Sequence, residues 1–167
     1  MKKYISLFAA ALMLAIGFAS CDVETNEEPG GNQIGDMAGL WEITVDAVDE
    51  AGNVLYEDPY GMGVVTISTY ATATDATDKM WLLDNSFYGL QLLVPINLSA
   101  RTFEANDVDY DLVGTGKTTL KGKVLPGAGR NLHNAPVDSI CIEATFDDDS
   151  NGLIWRYSGI RYQGFTE

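Results

Sequence analysis

The sequence predicts an all-β fold. From residue 37 onward, short segments of alternating apolar and polar residues follow one another, with turn residues between them. No segment has the apolar period of an amphipathic helix longer than two turns, and the 17 Gly and 5 Pro are scattered through the turns. About eight to ten short antiparallel strands at such close spacing predict a closed barrel or a sandwich.

The first strands are predicted from residues 41–70. Along residues 41–47, four apolar residues share one face and three polar residues share the other: Trp41, Ile43, Val45 and Ala47 against Glu42, Thr44 and Asp46. Turn residues at 49–53 lead into a partner strand that begins at 54–56. The β-branched segment 62–70 predicts a further strand, and the small, polar segment 71–79 predicts a loop.

The middle of the chain predicts five more strands, which are shorter or less regular. They cover residues 80–83, 90–98, 101–104, 108–113 and 117–125. Pro95 lies inside the second of them. Since proline has no backbone N–H to donate to a neighbouring strand, Pro95 predicts a bulge or a sheet edge at that point.

The clearest element is a hairpin at the C-terminal end. Its first strand has one apolar face, formed by Ile140, Ile142, Ala144 and Phe146. A polar turn at residues 147–152 leads into a second strand-like segment at 153–165. The sequence therefore predicts two antiparallel neighbours here.

The first residues predict export and a lipid anchor. Lys2 and Lys3 precede an apolar run at 5–17, which is too short to span a bilayer and suits a signal peptide. The run ends in Phe18-Ala19-Ser20-Cys21, which resembles the bacterial lipobox. The resemblance implies cleavage before Cys21 and acylation of its sulfur, which holds a protein on a membrane. Ordinary secretion with cleavage nearby is the alternative.

These features divide the chain into three parts. We expect a lipoprotein signal peptide at 1–20, the acylated Cys21 with an acidic, flexible tether up to residue 36, and one β-domain at 37–167. With Cys21 committed to lipid, Cys141 has no partner for an intrachain disulfide. The formal net charge of −14 disfavours nucleic acid and anionic lipid head groups as partners.

Gly39-Leu40-Trp41, at the start of the first predicted strand, resembles the G-x-W with which lipocalins begin. In that family the Trp closes one end of the barrel, and an Arg from the last strand packs across it. The resemblance implies this role for Trp41, with Arg156 or Arg161 as the partner.

A second resemblance covers most of the chain. The lipobox, the tether, MAGLWEITVDAVDEAG near the start and APVDSICIEATFDDDSNGLIWRYSGIRYQGF at the end resemble Bacteroidetes lipoproteins usually labelled lipid-binding putative hydrolases. The resemblance implies a single antiparallel, lipocalin-like (calycin-type) barrel, and we expect a small hydrophobic or amphipathic, lipid-like ligand to bind inside this barrel. It also implies a place in the cell envelope, as an outer-membrane lipoprotein on the periplasmic face or the cell surface.

Aromatic residues are the candidates for lining a ligand cavity, because their rings combine apolar area with a polar edge. We select four as ligand-binding candidates: Trp81, Phe87, Tyr88 and Tyr110. The segments 71–79 and 126–136 are expected to be loops that control the mouth of the barrel.

Two motifs suggest ion or nucleotide binding. Asp147, Asp149 and Asn151, followed by Gly152, match the front half of a calcium loop and form a weak Ca²⁺ candidate, although Ser158 occupies the position of the bidentate Glu. Residues 114–119 resemble the tail of a P-loop, but residue 111 is Asp and no helix is predicted to follow. We therefore expect no cofactor and no strong metal site.

The residues give little support to catalysis. His133 is the one histidine of the sequence, no G-x-S-x-G motif occurs, and zinc would need more His or Cys ligands. Binding is therefore favoured over enzymatic activity. Two alternatives stay open: a hydrolase, and a surface module that binds glycan or a partner protein. An exposed aromatic platform and a filled barrel would indicate the second.

Overall fold

The structure, a computed structural model, describes residues 31–164. These residues form nine β-strands: β1 (Gly39–Val48), β2 (Val54–Tyr56), β3 (Val65–Tyr70), β4 (Lys79–Asp84), β5 (Gln91–Asn97), β6 (Thr102–Asp109), β7 (Lys117–Arg130), β8 (Pro136–Phe146) and β9 (Ile154–Arg161). Nowhere in 31–164 is there a helix of the length and hydrophobicity that crossing a membrane requires.

Eight of the strands close into an antiparallel barrel. From β3 to β9 each strand pairs with the next along the chain, and β1 pairs with both β3 and β9. The closing pair runs from Trp41 opposite Arg161 to Val48 opposite Ile154. The short β2 adds only to the end of β1, at Ala47 and Val48. The all-β, lipocalin-like barrel predicted from the sequence is confirmed.

The alternating pattern of β1 and of the last hairpin places their apolar faces inside the barrel. Trp41, Ile43, Tyr157 and Ile142 are at most 1% exposed. The core continues around the barrel through buried residues of the other strands: Ile67, Met80, Leu82, Leu92, Val94, Phe103, Leu120 and Val124. Since water reaches almost none of their surface, from inside or outside, the interior is filled by side chains.

One end of the barrel, here the Trp41 end, is closed as the lipocalin resemblance implies. The guanidinium carbon of Arg161 lies 4.5 Å from the centre of the Trp41 ring. Arg161 also donates to the backbone carbonyls of Asp36 and Ala38, which ties the chain before β1 across this end. Of the two predicted arginine partners, Arg161 fills the role, whereas Arg156 lies on the outer face.

Two strands differ in extent from their predictions. Most of the segment predicted at 101–104 and the first two residues of the segment predicted at 108–113 belong to the single strand β6, whose register shifts between Ala105 and Val108. Strand β7 continues to Arg130 through a register shift between Leu125 and Gly129. Both shifts contain a residue with positive φ, Asp107 at 51° and Gly127 at 61°. Such a bulge interrupts the two-residue period, so the alternation of apolar and polar residues in the sequence ends although the strand continues.

Strands β5 and β6 form the weakest pairing around the barrel. Their register includes two pairs of residues, Ile96 with Phe103 and Asn97 with Thr102. Pro95 comes directly before this pairing in β5. Because it has no backbone N–H, it cannot donate the hydrogen bond that would continue the pairing with β6. The irregularity predicted from Pro95 therefore coincides with a seam between β5 and β6.

The domain begins within the segment predicted as tether. Ile34 is completely buried and belongs to the core, and the turn around it is held by the hydrogen bond from the Met37 N–H to the Ile34 carbonyl (2.7 Å). A single large apolar residue among polar ones gave too weak a pattern to predict this. The predicted signal peptide at 1–20 and Cys21, which is predicted to carry the lipid, lie outside the described residues.

Candidate functional site

Three of the four predicted ligand-binding residues meet at the end of the barrel opposite Trp41, here called the aromatic end. Phe87 and Tyr88 lie between β4 and β5, and Tyr110 follows β6. The Tyr88 ring stacks on Phe146 with 3.5 Å between centroids, and its edge meets Tyr110 at 5.9 Å. Phe87 contacts Trp155 at 4.8 Å, edge to face. The rings form one continuous cluster.

A buried carboxylate holds this cluster in place. Asp84 ends β4 and is completely buried. Its side-chain oxygens accept hydrogen bonds from the backbone N–H groups of Ser86 (2.7 Å), Phe87 (3.2 Å) and Tyr88 (3.2 Å). The Tyr157 hydroxyl donates to the same carboxylate at 3.3 Å. Asp84 therefore orients the turn that carries two of the candidate aromatics.

The tyrosines of the aromatic end stay protonated over the whole neutral range. Burial, together with the charges of Asp149 and Asp148, raises the pKa of Tyr88 to about 12. Burial and the hydrogen bond from its hydroxyl to Asp148 (3.0 Å) raise the pKa of Tyr110 above 10.0. Each phenol is therefore a neutral donor and carries no charge towards a ligand.

The aromatic end is filled rather than open. Tyr60, from the segment between β2 and β3, lies over Phe87 and Trp155 at 5.6 and 5.7 Å between ring centroids. Its side chain is 63% exposed, whereas Tyr110 and Trp155 beneath are 5% and 1% exposed. The rings pack on one another and form the outer layer of the core at this end.

The fourth candidate, Trp81, points away from the interior. In β4, Met80, Leu82 and Asp84 are buried, so the alternation puts Trp81 on the outer face. There its ring stacks on that of Tyr70, the residue opposite it in β3, at 6.3 Å and an angle of 17°. The structure thus separates Trp81 from the other three candidates.

The two loops predicted to control the mouth lie elsewhere. The β3–β4 connection at 71–78 and the β7–β8 connection at 131–135 both lie at the Trp41 end, because β3 and β7 run towards that end. Residues 126–130 moreover belong to β7. The prediction that 71–79 and 126–136 form the mouth is wrong, since antiparallel connectivity puts them at the closed end with Trp41.

Two carboxylates of the weak calcium candidate accept hydrogen bonds within their own turn and from the neighbouring strands. Asp147 accepts from the Lys117 N–H (2.8 Å), and Asp149 accepts from the N–H groups of Asn151 (2.9 Å) and Trp155 Nε1 (3.0 Å). Across residues 31–164, no three His, Cys, Asp or Glu side chains are grouped so that they could hold a metal ion. His133 lies in the β7–β8 connection, away from the aromatic end.

A groove of about 910 Å³ lies on the outer face, starting at the β5–β6 seam. Apolar and polar residues of β5 and β6 line one side: Pro95, Ile96, Asn97, Thr102, Phe103 and Glu104. Residues of β7, β8 and β9 line the other: Lys121, Gly122, Lys123, Leu125, Cys141, Glu143 and Arg156. Most of these side chains alternate with buried core residues, so they point away from the barrel interior.

Sequence reasoning missed this groove. Its residues come from five strands and meet only because the strand register aligns them: Glu104 lies opposite Lys121, Lys121 opposite Glu143, and Glu143 opposite Arg156. A detectable signal was the polar face of the last hairpin, which includes Cys141, Glu143 and Arg156. In the sequence alone, this face cannot be distinguished from an ordinary solvated surface, because the residues opposite it on the adjacent strands are not known.

Comparison with known proteins connects these features to a family. The model of the family described as lipid-binding putative hydrolase matches residues 26–166, nearly the whole chain. No curated protein matches the chain significantly. Both the family and the barrel fit a lipid-binding role. The chain belongs to the lipid-binding putative hydrolase family.

Proposed function

We propose that this protein is a membrane-anchored lipoprotein that binds a small hydrophobic or amphipathic, lipid-like ligand in the outer groove. The observation that carries the proposal is the groove of about 910 Å³ beside a barrel interior already filled by side chains. Sites for small ligands are commonly roughly 300–1,000 Å³ in volume. Membership of a lipid-binding family supports this class of ligand.

The lining of the groove suits an amphipathic molecule. Pro95 and Leu125 present apolar surface, and the Leu125 side chain is 37% exposed although it is large and hydrophobic. Covering such surface with an aliphatic chain stabilises a complex by about 25 cal/mol per Å² removed from water, before the costs of association. Charged side chains further along β7 to β9 offer polar contacts to a head group.

The proposed location rests on the first residues of the chain. The resemblance of residues 18–21 to a lipobox supports acylation of Cys21 and attachment to the outer membrane of a Bacteroidetes cell envelope. The closed barrel with its core is formed by residues from Ile34 onward. Residues 22–167 therefore retain every contact described above, and they can be tested without the acyl chains of the anchor.

The first test is native mass spectrometry of residues 22–167 purified from cells, followed by lipid extraction. We expect a bound amphiphile at up to one equivalent, or uptake of one when dodecanoate is added. A mass of the bare chain that stays unchanged across a panel of fatty acids and lysolipids would overturn the proposal.

Thr102→Trp is expected to weaken dodecanoate binding at least about tenfold, because an indole at this exposed position in the groove occupies space that the ligand needs. The matched control is Thr66→Trp in β3, an exposed threonine on the outer face that does not line the groove. Calorimetric titration of both variants gives the comparison. Equal binding by Thr102→Trp and the unchanged chain would exclude the groove as the site.

Glycan binding is a second candidate function, favoured by the stacked pair of Tyr70 and Trp81 on the outer face. Tyr70 is 38% exposed, and the barrel interior is filled. Aromatic faces of this kind pack on the C–H faces of sugars. Under this alternative, Trp81→Ala is expected to abolish retardation by soluble polysaccharides in affinity electrophoresis, whereas Tyr56→Ala, at a 59% exposed tyrosine outside the pair, keeps it. If none of the polysaccharides retarded the unchanged chain, glycan binding would be excluded.

A further inference from the structure

The groove differs in charge from the rest of the molecule. The whole chain has 24 acidic and 10 basic residues. Among the groove residues the balance is reversed, with Lys121, Lys123 and Arg156 against Glu104 and Glu143. A local excess of cations on a strongly acidic protein attracts an anionic group to that place and repels it elsewhere.

Two of the three cations already have a partner. Glu143 forms ion pairs with Lys121 (3.1 Å) and with Arg156 (2.8 Å), which flank it on β7 and β9. The hydrogen bond from Arg156 holds the pKa of Glu143 below its usual 4.5, so the carboxylate is charged at neutral pH. Glu143 thus holds both Lys121 and Arg156 in place through ion pairs.

Lys123 stands apart from that cluster. It lies between Thr102 of β6 and Cys141 of β8, and it is exposed. Among residues 31–164 no carboxylate forms an ion pair with it. Leu125 is two positions further along β7 and therefore on the same face. A free ammonium group thus lies directly beside apolar surface of the groove.

Building on the proposed function, we propose that the groove selects an anionic amphiphile: its carboxylate or phosphate head group pairs with Lys123, and its aliphatic chain lies against Leu125 and Pro95. A charge-assisted hydrogen bond gives this head group an advantage over an uncharged one of the same chain length. The pairing also gives a partner to Lys123, the groove cation with which no carboxylate of residues 31–164 forms an ion pair.

Three probes with the same twelve-carbon chain test this inference by calorimetric titration of residues 22–167, with the anions below their micelle concentrations and the alcohol below its solubility limit. They are dodecanoate, dodecyl phosphate and dodecanol. We expect Lys123→Gln to weaken binding of the two anions by about two- to fivefold, within the range for one exposed charge pair, and to leave the binding of dodecanol unchanged. Lys123→Arg is expected to restore anion binding. The anion that binds more tightly, dodecanoate or dodecyl phosphate, identifies the preferred head group as a carboxylate or a phosphate.

Lys117→Gln is the matched control. Lys117 lies on the same strand and is engaged with Asp107 at 3.1 Å outside the groove, so its loss removes one positive charge without touching the site. If Lys117→Gln weakened anion binding as much as Lys123→Gln, the effect would come from the net charge of the protein alone, and the inference would be overturned. If all three probes bind alike and Lys123→Gln changes none of them, the head-group assignment fails while the groove remains a lipid site. If no probe binds the unchanged chain, the proposed function fails first, and this inference with it.

Discussion

Gly159→Val is expected to destabilise the protein by at least about 3 kcal/mol, because there is no room for a side chain where β9 meets β1. Gly159 lies opposite Ile43 of β1 and Ile140 of β8. A Cβ atom at this position would stand 2.6 Å from the Ile43 Cα and 2.7 Å from the Glu42 carbonyl carbon. These are backbone atoms of the strand pair that closes the barrel, so relief requires the pair to separate.

Equilibrium urea unfolding followed by tryptophan fluorescence measures this loss. Ser158→Val is the matched control, since it introduces the same side chain at the preceding residue, which is half-buried and on the outer face. We expect this control to change the unfolding free energy by less than about 1 kcal/mol. If the urea concentration at the unfolding midpoint were the same for Gly159→Val and the unchanged chain, the backbones of β1 and β9 would not be in such close contact at Gly159.

Trp41→Ala is expected to cost about 3–5 kcal/mol, the usual range for removing a fully buried large aromatic side chain. The Trp41 Nε1–H donates to the Thr69 hydroxyl at 2.8 Å, and that hydroxyl donates to the Met37 carbonyl at 2.6 Å. The substitution therefore leaves a cavity beneath Arg161 and removes the donor to a buried hydroxyl.

Trp81→Ala provides the comparison, because it makes the same change on the outer face of the same barrel. We expect it to cost less than about 1 kcal/mol, the contribution of one cross-strand aromatic pair. Both variants can be followed by urea unfolding with far-ultraviolet circular dichroism, which does not depend on the tryptophan removed. Equal losses in the two variants would contradict the assignment of Trp41 to the interior and Trp81 to the exterior.

The sequence predicted the fold wherever one face of a strand is clearly apolar. Along residues 41–47 of β1 and 140–146 of β8, apolar and polar residues alternate without interruption, and the apolar set is the buried one. Where a bulge inserts a residue, as at Asp107 in β6 and Gly127 in β7, the period breaks and the predicted strand ends early.

The candidate site was harder to predict, for two physical reasons. Strand β4 is apolar on both faces, with Met80 and Leu82 alternating with Trp81 and Leu83, so hydrophobicity could not tell which face is inside. The groove depends on which residues of neighbouring strands stand opposite one another. That register is set by the closed barrel as a whole, and no single segment contains it.

The pairing of β1 with β9 also determines when the barrel can form. Trp41 and Arg161, one near each end of the described chain, are direct neighbours. Joining segments so far apart in sequence requires closing a long loop, and contacts of this kind slow folding. Until β9 arrives, β1 and β8 each have an unpaired edge that can pair with another chain. A chain that emerges from a ribosome or a membrane channel N-terminus first therefore cannot complete its barrel until its last strand has followed.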